Sequence, residues 1–214
     1  MPNSAIDRQF YLALRDQEKA EKFAEHIAEL TTEIINASLK FSQATKSAYE
    51  SELIPKRRGG DKNFDEADQA KLALGAFSFF MHLLDRCFLD IKTKIMRDAV
   101  FDFIFENLPN HVYAKSFTSA PTQIQELVLN HYDLRTGQLA EAPVIFGEGL
   151  EDKNSAAWCA ARAICDEDLG REDRRLLMIV ETQLRQGLEK LSLAEHVTGM
   201  AELVWLASQC RQTA

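Results

Sequence analysis

The sequence predicts an all-α fold, and three observations carry that expectation. Apolar side chains recur at steps of three and four residues through long windows. Glycine and proline are scarce, nine and five in 214 residues, which argues against a turn-rich β protein. The prolines also sit where periodic stretches begin or end: Pro55, Pro109 and Pro121. With 46% hydrophobic and 27% charged residues the chain can bury a sizeable core, and a single all-helical domain over 1–214 is expected.

The strongest pattern is Ala20, Phe23, Ile27, Leu30, Ile34, Ala37, Phe41, Ala44 and Ala48, an unbroken 3-4 repeat flanked by Glu, Lys, Gln, Thr and Ser. Such a repeat keeps one seam facing a partner helix, as in coiled coils and long bundles. A helix over 17–50 would be about 50 Å long, against a radius of gyration near 17 Å for a compact chain of this size. An elongated bundle of five to six helices follows. Pro55 ends this first helix, and Lys56-Arg57-Arg58-Gly59-Gly60-Asp61 forms a polar loop.

A second helix is expected over 65–108, ending at Pro109 and holding seven of the thirteen phenylalanines. Its polar residues Lys71, Ser78, His82, Asp85, Arg86, Asp90, Thr93 and Arg97 fall largely on one stripe, and the rest of its circumference is apolar. It is read as the central helix. A loop over 109–120 leads to a third helix, 122–135, with Gly137 as its stop. Residues 138–152 are expected to be irregular, with an apolar clip around Val144-Ile145-Phe146. A fourth helix spans 154–167 and ends near Gly170. A fifth spans 172–191 and buries Leu176, Leu177, Val180, Leu184, Leu188 and Leu191. Ser192-Leu193-Ala194-Glu195 fits a capping box that opens the last helix, which ends near Cys210.

Net charge is −8, so no general attraction to nucleic acid or anionic membrane is expected. Lys56-Arg57-Arg58 is the lone basic run and lacks interleaved aromatics. Met1-Pro2-Asn3-Ser4 leads into charge at Asp7 and Arg8 without the apolar core of a signal peptide. Cys87, Cys159, Cys165 and Cys210 form no C-x-x-C pair, and they read as reduced thiols in a cytoplasmic setting. Phosphate-binding loops, dinucleotide fingerprints and nucleophile elbows are absent from the sequence.

Three groups of residues are candidates for sites. His82, Asp85 and Arg86 lie within one turn and could hold an anionic or polar ligand beside the central helix; the competing reading is a solvent stripe. Asp98, Asp102 and Glu106 form a carboxylate row at i, i+4 and i+8, a weak candidate for Mg²⁺ or Ca²⁺. Each turns about 40° from the last, so one ion would be hard to share, and pairing with Arg174, Arg175 or Arg185 is the favoured alternative. Neither Glu-x-x-His nor His-Glu-x-x-His occurs, so the five histidines spell no metal motif. No cofactor is implied. The seam residues Phe23, Ile27, Leu30, Ile34 and Phe41 are the candidate interface, at about 1.5–3 kcal/mol of burial each. Together these features point to a non-enzymatic interaction or regulatory module, a homodimer or the partner of another protein. A helical protein that binds a small ligand or metal is the alternative.

Overall fold

The computed structural model describes residues 5–53, 64–91, 93–108, 121–142 and 155–209. The fold is all-α, with no strand among the described residues. In chain order the helices are α1 (Ala5–Ala13), α2 (Gln17–Leu53), α3 (Glu66–Ile91), α4 (Lys94–Leu108), α5 (Pro121–Leu139), α6 (Ala156–Ala163), α7 (Arg174–Leu191) and α8 (Leu193–Gln209). A π-helical turn, Ile164–Asp168, continues α6. The described residues hold eight α-helices where five to six were expected: α1 was not foreseen, and the second expected helix is two. The loops expected at 56–61 and 109–120 and the apolar clip expected at 144–146 lie outside the described residues. Contacts group the chain into two compact units, each drawn from separated segments: 1–33, 83–126 and 192–214 in the first, 34–82 and 127–191 in the second.

The first unit gathers α1, α4 and α8 with the start of α2. The Phe10 ring of α1 meets Phe23 of α2 edge-on at 5.1 Å, so the short helix is held by burial rather than by propensity. Asp16 supplies the entry to α2, its carbonyl accepting from the Ala20 amide at 3.0 Å. The break between α3 and α4 is a reversal. In an unbroken helix Asp85 and Arg97 would stand about 18 Å apart along the axis, yet they form an ion pair, and Arg97 also lies over the Phe101 ring at 4.8 Å. Thr93 marks the restart, its carbonyl accepting from the Arg97 amide. Phe88 and Phe101 meet across the turn, with ring centroids 6.4 Å apart.

The second unit is built around the buried part of α3. From Leu72 to His82 every residue except Leu74 is buried, which is what a helix apolar nearly all round requires. Glu66–Leu89 has the length and hydropathy of a membrane-crossing helix, but 72% of its most apolar window is buried in the chain, the pattern of a core helix. Arg171 ties the chain ahead of α7 to this helix through Asp68 at 2.6 Å, and its guanidinium lies 4.4 Å from the Phe64 ring centroid. Glu181 and Arg185 pair on α7, and Arg185 donates to Ser155, the residue that caps α6.

The seam of α2 is filled from within the chain. Phe23, Ile27, Leu30, Ile34 and Phe41 are all buried, so as an interface between chains they would be available only if these helices came apart. The seam also drifts. Beyond Ile34 the expected positions Ala37, Ala44 and Ala48 are half-buried, whereas Ser38, Thr45 and Tyr49, each one residue later, are buried. A straight α-helix falls about 20° behind a seven-residue repeat in each heptad, so the buried row migrates to the next position instead of supercoiling. Of the hydroxyls on this side of the helix, Ser38 donates to the Ile34 carbonyl one turn back and Ser42 to that of Gln69 on α3.

A candidate functional site on α5

Of the eight large apolar side chains exposed among the described residues, three lie in α5: Leu127 (54%), Leu129 (40%) and Leu134 (54%). The helix buries a narrow row, Val128, Tyr132, Arg135 and Leu139, at steps of four, three and four. At about 100° per residue, Leu127 and Leu134 share one edge of that row, in line with His131 and Gln138, and Leu129 lies on the other flank. A row this narrow leaves leucines outside on both sides.

The inner edge of α5 carries a polar network. The Arg135 side chain is only 3% exposed, and it pairs with Asp168 and, at 2.7 Å, with Glu167, both on the π turn. The Gln138 amide donates to both Glu167 oxygens, at 3.1 and 3.0 Å. His131 bridges Asp168 and Ser78 of α3, at 3.2 and 2.8 Å. A carboxylate can only accept, so Nε2 of His131 donates to Asp168, and Nδ1 shares its hydrogen bond with the Ser78 hydroxyl. Gln138 first, then Arg135, holds the Glu167 carboxyl below its ordinary range, so this carboxylate stays charged at neutral pH.

The π turn is what brings two successive acids to α5. Its extra residue widens one turn, and the Leu169 amide bonds back to the Ile164 carbonyl at 3.0 Å. Gly170 then ends the segment with φ +63°, where an L side chain is strained. On α3, Gly75 makes room for the turn: a Cβ there would lie 2.5 Å from Ile164 Cγ1 and 3.2 Å from Asp168 Oδ2.

Serine, histidine and aspartate in a hydrogen-bonded chain also make up a nucleophile, a base and its orienting group. Ser78, however, is fully buried in the middle of α3, with no face for a substrate carbonyl. The chain of bonds joins α3, α5 and the π turn. It is a clamp.

The residues singled out from the sequence fall elsewhere. His82 is buried in α3 and not on a solvent stripe, because the polar stripe of that helix runs into the core. Asp85 is buried against Arg97, and Arg86 is half-buried. Asp98 is paired with Lys94 and Arg97, each at 2.9 Å, on its own helix rather than with Arg174, Arg175 or Arg185. Burial raises its carboxyl, but the hydrogen bonds from Lys94 and Arg97 outweigh this and lower it overall. Asp102 and Glu106 are exposed, and no metal-holding group of three occurs among the described residues. Burial drives the Cys165 thiol up to about 12, which leaves it unreactive. The sequence did hold a signal for the network: His131 and Arg135 stand one turn apart on a helix whose other inward positions are apolar. Compared with known proteins, the chain matches no family model, no curated sequence and no solved structure.

Proposed function

We propose that this chain is a non-enzymatic interaction module, and that the edge of α5 bearing Leu127 and Leu134 is its docking face. The observation that carries the reading is the pairing of those two half-exposed leucines, one heptad apart, with the buried clamp on the same helix. Single exposed leucines are ordinary. Two in register on a helix fixed by Arg135, His131 and Gln138 are a preformed surface, and a surface that needs no ordering on binding loses less entropy to it. The partner is a second copy of the chain or another protein. A reducing, cytoplasmic setting fits the buried Cys165 thiol.

Native mass spectrometry of the full chain, isolated under mild conditions, tests the reading. The expected spectrum shows masses above the 24.2 kDa chain, and a Leu127→Asp, Leu134→Asp variant returns them to the bare chain. Bare chain from both proteins contradicts it.

A further inference from the structure

We draw no further inference here: the strongest candidate, the exposed surface of Tyr11, Leu12 and Leu14 at the end of α1, carries nothing because nothing in the structure shows what covers it.

Discussion

Arg135 is the residue on which the clamp turns. It is a buried cation on the inward row of α5, held by Asp168 and Glu167. A buried ion pair adds little net stability over a well-packed apolar pair, but removing one partner strands the other charge. Arg135→Leu should therefore destabilise the fold by about 3–5 kcal/mol, and Arg135→Leu with Asp168→Asn should recover part of that loss in urea unfolding. An equal or greater loss in the double variant would contradict this account. Glu167 adds a pH dependence whose sign follows from its lowered carboxyl. The charged form is favoured in the folded state, so its contribution is fully present above the ordinary value of 4.5 and is lost as pH falls through the lower folded value. The gap in urea midpoint between wild type and Glu167→Gln should be steady near neutrality and close as pH falls below 4.5; a gap that persists in acid contradicts it. Little of this was legible in advance. His82 and His131 are both single histidines on helices, and only the approach of the π turn distinguishes a residue in a network from one packed in a core. Burial of a polar stripe depends on which helix lies across it, and that is a tertiary property.

At the scale of elements, local pattern was a good guide to which segments are helical and a poorer one to where they bend. The long N-terminal helix and the Phe-rich central helix are both present, because a 3-4 apolar repeat over many turns has no other regular structure to enter. The sequence between α3 and α4 carries neither glycine nor proline, so nothing in local chemistry announced the break. What fixes it is the ion pair of Asp85 with Arg97 and the meeting of Phe88 with Phe101. The drift of the α2 row from Ala44 and Ala48 to Thr45 and Tyr49 is likewise geometric, the mismatch of 3.6 with 3.5 summed over four heptads. Later in the chain Ser192 adopts φ 43°, unlike the extended entry of a capping box, although its carbonyl still accepts the first amides of α8. The contact of the π turn with α3 yields a prediction of its own. Gly75→Ala drives a methyl into Ile164, itself buried, and should cost about 1–3 kcal/mol as overpacking. Because the displaced turn carries Asp168 and Glu167, the variant should also lose much of the penalty that Arg135→Leu causes in wild type. Additive losses in a double-mutant cycle would mean that the turn and the clamp are independent.

For the molecule as a whole, the apolar seam that first suggested assembly is spent within the chain. The leucine edge of α5 is small, and it lies on a helix whose inner side is tied to two other elements. A net charge of −8 argues against broad attraction to polyanions. Composition could not indicate α5, because its exposed leucines look like core residues until Val128, Tyr132, Arg135 and Leu139 are seen to take the inward positions. The most direct measurement is photo-cross-linking in the cells that make the protein, with benzoylphenylalanine placed at Leu134 or, as an equally apolar exposed control, at Met178 of α7. A docking edge on α5 predicts a discrete adduct from position 134 that is absent from position 178. No adduct at 134, or the same adducts from both positions, would contradict it.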